Sequence, residues 1–517
     1  MKKILIFTFL PFLSFADGID KKIDEAFAPI SNFFSNVVFF TINDIPFVLM
    51  LLVFSALFFT IFFAFPNIRY FKVAINTVRG KYDDLDNHSN DHEDIKGTIK
   101  DESKDGEVSH FQALATAVSG TVGNGNIAGV ALAIALGGPG ATFWMIICGL
   151  LGMSTKFVEC TLGVQYRDVD EDGTVYGGPM YYISKGLKER GFEFFGKIAA
   201  ILFAIFCIGG SFGGGNAAQS NQATIVLKDL MGLESTAAGA IIGLIIAIIV
   251  GIIIIGGIKR IANVTEKVVP FMAVMYLFAC LYIILSNYAF IDDAISLIIT
   301  EAFNPTAVGV GSVIGVLLVG FKRAAFSNEA GAGSASIAHS AVKTKYSASE
   351  GLVALLEPFI DTVVICTMTA LVIIIFNFGG YFEYGGDGGM VYIDGVGYEG
   401  AGITSKAFAQ YIPFSNIFLT IAVVLFAVST MISWSYYGLQ SWKFIFGRGY
   451  YADLTYKILF LLFIVIGAAS SMSSIWAFSD AMIFAMIFPN MVGLFFLFPV
   501  VKKELSKYLD AIKKNNL

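Results

Sequence analysis

Apolar segments long enough to cross a membrane follow one another along most of this chain, separated by short polar connections. A helix needs about 20 mainly apolar residues to cross the hydrocarbon core of a bilayer. The spans predicted on this basis have the approximate limits 46–66, 111–138, 141–164, 196–222, 235–257, 267–287, 306–340, 350–377, 412–438, 453–471 and 477–500. The pattern predicts an all-α polytopic membrane protein with about 11 spans.

Two of these segments are interrupted by polar residues and glycines. Ser119–Gly140 places Thr121, Asn124 and Asn126 among several glycines, and Gly320–Ser334 is its counterpart in the second half. Irregular backbone is tolerated at membrane depth only where protein or a water-filled cavity satisfies it. We therefore predict a broken helix in each half, the arrangement that marks the binding site of a secondary transporter. Glycine-mediated helix packing is the alternative.

Basic residues concentrate in alternate connections between the spans. Those assigned to the cytoplasmic side include Arg69, Lys72, Lys156, Lys259, Arg260, Lys343, Lys443, Lys502 and Lys503. The positive-inside rule then places the amino terminus outside and the carboxyl terminus in the cytoplasm. The later spans divide into a first five-helix repeat, 106–287, and a second, 288–503, followed by a tail, 504–517. Because five is an odd number, the two repeats have opposite orientations.

The amino-terminal region precedes these repeats. Residues 1–16 combine two lysines, a short apolar run and a small-residue end, which is typical of a cleavable signal peptide. An uncleaved anchor is the alternative. Residues 17–105 form an extension with one transmembrane helix and an acidic cytoplasmic loop, 83–105. We interpret His88 and His92 in that loop as solvated.

Composition narrows the class of function. The chain is 56% hydrophobic and only 14% charged, with a net charge of −6, which excludes an ordinary soluble domain. No basic patch suggests a nucleic-acid partner. The five cysteines lie in apolar runs without metal-binding spacing. The four histidines form no HExxH motif and no visible Ser/His pairing, so we expect neither an enzyme nor a cofactor.

The first interruption has the chemistry of a zwitterion site. A half-helix that begins after the break presents free N–H groups and the positive end of its dipole to an anion. Candidate N–H groups for a small carboxylate are those of Gly123, Asn124, Gly125 and Asn126. Free carbonyl groups at the same break would accept a cation or an ammonium. Gln219, on the third span of the first repeat, is a further candidate, with interhelical hydrogen bonding as its alternative role.

The second interruption contains ionisable residues, which are costly inside a membrane and are functional candidates by default. Glu329 is predicted to form a gate pair with Arg323 or Lys322. The residues of this segment predicted to lie near the substrate are Phe321, Phe326 and Ser327. Trp434, on a later span, is predicted to form a wall of the substrate pocket.

Three hydroxyl groups on one span of the second repeat form a candidate sodium site. Ser429, Thr430 and Ser433 supply the oxygen ligands that a hard cation prefers. Backbone carbonyl groups near Gly120 and Val122, at the first break, would complete the set. A hydroxyl that bonds back to its own helix is the alternative for each of these residues.

Long motifs in five places carry a family resemblance. They read TVGNGNIAGVALAIALGGPGA, GMSTKFVECTLGVQYRD, GGPMYYI, GNAAQSNQ and FKRAAFSNEAGAGSASIAHS. These motifs resemble those of the alanine or glycine:cation symporter family, the sodium:alanine symporters, over roughly 111–503. The resemblance implies a leucine-transporter-like (APC-type) inverted repeat of five plus five helices with one additional amino-terminal helix. It assigns to the substrate pocket Thr121, Gly125, Asn126, Gln219, Phe321, Thr430 and Trp434, and to the sodium-site helix Ser429 and Thr430.

The same resemblance implies sodium-coupled symport of alanine or glycine into the cell. The expected partners are the small-molecule substrate, Na⁺ as coupling ion and the lipid bilayer of a bacterial or archaeal-type plasma membrane. Two alternatives stay open. One is a proton-coupled amino-acid symporter of the same fold, and the other is a substrate-gated channel or sensor.

Overall fold

The computed structural model describes residues 19–87, 106–171, 173–233, 235–306, 311–470 and 472–515. The predicted signal peptide, 1–16, lies outside the described residues. So do His88, His92 and most of the predicted acidic loop, 83–105.

Helices dominate the described part of the chain. In order they are α1 Ile19–Val38, α2 Phe47–Phe62, α3 Pro66–Arg69, α4 Phe71–Val78, α5 Asp84–Asn87, α6 His110–Thr121, α7 Ala128–Gly137, α8 Gly140–Gln165, α9 Pro179–Glu189, α10 Glu193–Phe212, α11 Ala218–Met231, α12 Thr236–Ile254, α13 Gly257–Ser286, α14 Ile291–Phe303, α15 Val313–Asn328, α16 Ala335–His339, α17 Ser347–Ala354, α18 Leu356–Pro358, α19 Thr367–Asn377, α20 Ala401–Tyr411, α21 Ser415–Phe446, α22 Tyr450–Ala469 and α23 Met472–Lys514.

Shorter elements connect or modify these helices. Turns of 3₁₀ helix are Asn124–Asn126, Tyr288–Phe290 and Asp387–Gly389, and segments of π helix are Gly213–Ala217 and Phe359–Cys366. Antiparallel hairpins pair Thr41–Ile42 with Ile45–Pro46, Asp168–Val169 with Val175–Tyr176, and Val391–Ile393 with Val396–Tyr398.

Length and apolarity identify the membrane-crossing helices. Within the described residues, 8 helices are long and apolar enough to span, or up to 9 if the bent pair α6–α7 counts as one. Ile241, Ile245, Ile248 and Ile252 of α12 are 51–56% exposed, as expected of a face turned to lipid. The prediction of an all-α polytopic membrane protein is confirmed. The count of about 11 spans stays a prediction, because α2 is apolar but only 16 residues long.

Both predicted helix breaks are present. Helix α6 and the helix that follows it are bent by 57°. Helix α15 ends at Asn328, and the chain turns through Glu329, Gly331 and Gly333, all with positive φ, before α16 begins. Each interrupted helix is followed by four long helical segments, so the element order is that of the predicted five-plus-five arrangement. The proposed boundaries of the two repeats stay predictions.

The third span of the first repeat, predicted at 196–222, contains an irregularity that its sequence did not lead us to predict. The π segment Gly213–Ala217 separates α10 from α11. A Cβ atom on Gly215 would overlap the indole of Trp434 on α21, so glycine is required for this close approach. π segments of this kind often mark functional sites.

The assignment of Lys156 to a cytoplasmic connection is wrong. Helix α8 continues through it, and the side chain is fully buried. Its Nζ lies 3.0 Å from Glu357 Oε1. A buried ammonium group is tolerated here because a carboxylate from a distant part of the chain pairs with it, which the local sequence does not reveal.

Candidate substrate and ion site

The two helix breaks meet at one small buried cavity. Its lining residues are Gly120, Thr121, Gly125, Gly214, Gln219, Phe326, Ser327, Glu329, Thr430, Trp434 and Ile483. The cavity offers about 10 Å³ to the centre of a water molecule, which is room for about one water. Most of the residues that the sequence placed near a substrate therefore lie together, although they come from four separate helical regions.

At the first break, side-chain oxygens accept hydrogen bonds from some of the backbone N–H groups. The Gly123 N–H donates to Asn126 Oδ1 at 2.8 Å, and the Asn124 N–H donates to Gln219 Oε1 at 3.1 Å. Gln219 Nε2 in turn donates to the Gly214 carbonyl at 3.0 Å. The expectation that the Gly123, Asn124 and Asn126 N–H groups are free is thus wrong, because the first two donate to side-chain amide oxygens and the Asn126 N–H donates to the Gly123 carbonyl at 3.1 Å. Gln219 lines the cavity and also holds the break to the π segment.

A buried carboxylate that the sequence analysis missed joins the two breaks. Asp361, in the π segment Phe359–Cys366, is completely buried. Its Oδ1 accepts from Asn126 Nδ2 at 2.6 Å and from Ser327 Oγ at 3.1 Å, and its Oδ2 accepts from Thr362 Oγ1 at 2.7 Å. In the described part of the chain, no basic side chain lies within ion-pair distance of it. An aspartate within the apolar run 350–377 was the available signal.

Glu329 belongs to the cavity and not to a gate pair with Arg323 or Lys322, which corrects the prediction. Its Oε1 accepts from Trp434 Nε1 at 2.9 Å, and its Oε2 accepts a short hydrogen bond from Ser334. Both basic residues pair instead with Asp480 of α23. The left-handed backbone at Glu329, with φ of 54°, turns its side chain away from α15 and toward α21.

The predicted sodium ligands on α21 have different surroundings. Ser433 Oγ donates to the Thr116 carbonyl at 2.8 Å, and Ser429 Oγ donates to the Phe426 carbonyl of its own helix at 3.0 Å. Thr430 Oγ1 is buried and has no hydrogen-bond partner among the described residues. It lies 2.5 Å from the position of a Cβ atom on Gly123. Of the three hydroxyls, Thr430 is the one directed at the first break and the cavity.

Phe321 lies away from the cavity, which corrects its predicted position. It is buried beside α8, where its ring centroid is 6.5 Å from that of Trp144. Phe326, one turn and a half later on α15, takes the place at the cavity. The indole of Trp434 forms another wall, with its ring centroid 5.4 Å from that of Tyr437.

Comparisons with known proteins identify the family. The family model described as the sodium:alanine symporter family matches residues 29–517. The sodium/alanine symporter AgcS of Methanococcus maripaludis is 38% identical over 91% of this chain and 95% of that protein. The sodium/proton-dependent alanine carrier protein of Bacillus sp. PS3 is 30% identical over 80% of this chain and 90% of that protein.

Another relative is the probable sodium/glutamine symporter GlnT of Bacillus subtilis, which is 33% identical over 78% of this chain and 78% of that protein. Among solved structures, MhsT in complex with L-phenylalanine is 15% identical, with a TM-score of 0.48, over 78% of this chain and 99% of that chain. The relatives are named as transporters, symporters or carriers, which confirms that the chain is not an enzyme. The chain belongs to the sodium:alanine symporter family.

Proposed function

We propose that this protein is a secondary active transporter that couples the inward movement of sodium to the uptake of alanine or glycine by alternating access. The observation that carries the proposal is the meeting of two interrupted helices at one small buried cavity that several polar side chains line. Such breaks place backbone dipoles and polar side chains around a ligand near the middle of a membrane. Membership of the sodium:alanine symporter family and the name of the relative AgcS support sodium as the coupling ion and alanine as a substrate.

A small amino acid fits the chemistry of this cavity. Glu329 supplies a carboxylate for the ammonium group, while Thr121 and Gly125 lie at the break that faces the carboxylate group. In the structure the cavity has room for about one water molecule, so its walls must move apart to admit a substrate, and Phe326 and Trp434 would then limit the space to a hydrogen or a methyl side chain. Each methylene group is worth about 1–3 kcal/mol in such discrimination, so selectivity against slightly larger substrates is limited.

Asp361 is the best candidate to attract sodium. A buried, ionised carboxylate is costly without an opposite charge, and a hard cation beside Asn126 and Ser327 would offset that cost. Thr430 and the carbonyl groups near Gly120 and Val122 form the second candidate set, as the sequence predicted. One positive charge that moves down 100 mV releases about 2.3 kcal/mol, enough for roughly 50-fold accumulation.

The small volume of the cavity implies that its walls part when substrate enters or leaves. The 57° bend between α6 and the next helix, and the turn between α15 and α16, are the places where half-helices can move independently. We place the protein in the plasma membrane with its amino terminus outside and its carboxyl terminus in the cytoplasm, in agreement with the distribution of basic residues.

Alanine uptake by proteoliposomes tests the proposal. An inward sodium gradient should drive accumulation of radiolabelled alanine or glycine above the external concentration, and replacement of sodium by choline should abolish it. Accumulation that follows a pH gradient but not sodium would favour the proton-coupled alternative. Binding of alanine without accumulation under any gradient would favour a channel or sensor and would refute active transport.

A further inference from the structure

A chain of alternating imidazole and carboxylate groups runs through the buried part of the protein. His110 Nδ1 makes a short contact with Glu350, whose other oxygen is 2.5 Å from His339 Nδ1. His339 Nε2 is 3.6 Å from Glu357 Oε2, and the other oxygen of Glu357 is 3.0 Å from Lys156 Nζ. All five side chains are buried, and they come from α6, α8, α16, α17 and α18.

The central histidine has the geometry of a proton carrier. Each ring nitrogen of His339 faces a different carboxylate, Glu350 at Nδ1 and Glu357 at Nε2. An imidazole can release a proton from one nitrogen while it accepts another proton at the other nitrogen. His339 Nε2 and Glu357 Oε2 have no hydrogen-bond partner among the described residues. Because a hydrogen bond between nitrogen and oxygen is about 2.9 Å long, a shift of about 1 Å between these two atoms would complete the chain.

The two ends of this series of imidazole, carboxylate and ammonium groups lie near two different cavities. His110 lines a cavity of about 400 Å³ at the start of α6, together with Asp83, Glu107 and Lys343. This is the side that the basic residues predict to be cytoplasmic. At the other end, Lys156 follows Gly152 by one helical turn on α8, and a Cβ atom on Gly152 would lie 2.8 Å from the Cβ atom of Ala330, the residue next to Glu329 of the substrate cavity. The other titratable groups that face the chain from neighbouring elements are Glu159, Cys160, Tyr182 and Tyr437.

We propose that these five side chains form a proton relay between the cavity at His110 and the substrate site. A proton then moves during the transport cycle in addition to sodium. The inference rests on the proposed function. In the central step, the Nε2–H bond of His339 breaks and the proton goes to Glu357 Oε2, while Nδ1 takes a proton from Glu350. The ammonium group of Lys156 loses a proton toward the substrate site and regains one from Glu357. Glu350 is then reprotonated through His110. The step consumes no other reactant, because the proton comes from solvent in the cavity.

The test measures alanine and protons in the same proteoliposomes. The vesicles contain a trapped pH-sensitive dye, and valinomycin with potassium on both sides removes the membrane potential. The expected result is that sodium-driven alanine uptake changes the internal pH in the wild type. His339→Asn keeps a donor toward Glu350 but has no atom at the Nε2 position, so proton movement per alanine should fall by about tenfold or more. Tyr276→Phe, which loses a buried hydrogen bond of 2.8 Å to Thr369, is the matched control and should not change it.

Each outcome decides the proposal. Alanine uptake without a change of internal pH in the wild type overturns the relay and leaves the proposed function intact. Proton movement in His339→Asn equal to that of the wild type also overturns the relay. Absence of both alanine and proton movement refutes both proposals. If His339→Asn does not fold, His339→Gln, which removes the Nδ1 contact instead, replaces it, and the wild-type measurement still decides.

Discussion

Substitution of Asp361 by asparagine removes the charge that we propose attracts sodium, with almost no change in size. Asparagine can still accept hydrogen bonds from Asn126 and Ser327 through its amide oxygen. The side chain is completely buried, and no basic group within the described residues pairs with it. Loss of the charge should therefore weaken sodium binding and should not leave an unpaired cation behind.

The magnitude follows from the charge and its surroundings. A unit charge about 4 Å from a carboxylate gains about 4 kcal/mol at an effective dielectric constant of about 20. Contacts to a charged partner are roughly twice as strong as those to a neutral one, so an amide oxygen keeps about half of this gain. The expected loss for Asp361→Asn is about 2 kcal/mol, which corresponds to about a 30-fold weaker sodium affinity.

Sodium-dependent alanine binding to purified protein measures this loss. The concentration of sodium that gives half-maximal binding should rise about 30-fold in Asp361→Asn. Asp453→Asn makes the same substitution at a carboxylate that pairs with Lys443 and Lys457, at the start of α22, and should leave the sodium dependence unchanged. Half-saturating sodium within about threefold of the wild type in Asp361→Asn, or an equal rise in Asp453→Asn, would refute the assignment of sodium to this carboxylate.

Three further substitutions test the substrate cavity. Glu329→Gln keeps the size of the side chain but removes its charge, and equilibrium binding should show alanine affinity lower by roughly 10- to 100-fold, since a hydrogen bond to a charged group is worth about 1.5–3 kcal/mol. Gly123→Ala places a Cβ atom 2.5 Å from Thr430 Oγ1 and should abolish uptake, whereas Gly129→Ala, where nothing lies within 4 Å, should transport normally. Trp434→Phe removes the indole donor and part of one wall, so competition assays should show selectivity for alanine over 2-aminoisobutyrate reduced by about tenfold.

The positions of both helix breaks were predictable from local sequence. Clusters of glycine and asparagine inside an apolar segment weaken regular helix wherever they occur, because glycine loosens the backbone and buried amides need partners. The structure ends α6 at Thr121 and α15 at Asn328, within the two segments that carry such clusters. These interruptions could therefore be located without any knowledge of tertiary contacts.

Which of the polar side chains share a site could not be predicted in the same way. Glu329 and Arg323 lie in one interrupted segment and have opposite charges, which favours the interpretation as a pair. The left-handed turn at Glu329 separates the two side chains, and Arg323 forms an ion pair with Asp480 of the last helix instead. The assignment of Lys156 to a loop failed for the same reason, because its partner Glu357 comes from a distant part of the chain.

Hydrophobic length and glycine content act on the backbone locally, so the amino-acid sequence alone was sufficient to establish a helical membrane protein with two interrupted helices. The roles of Asp361, which joins the two breaks, and of Glu329, which faces the cavity, became visible only in the folded chain. Burial of a carboxylate depends on hydrogen-bond donors that arrive from several helices, and their arrangement exists only once those helices have packed.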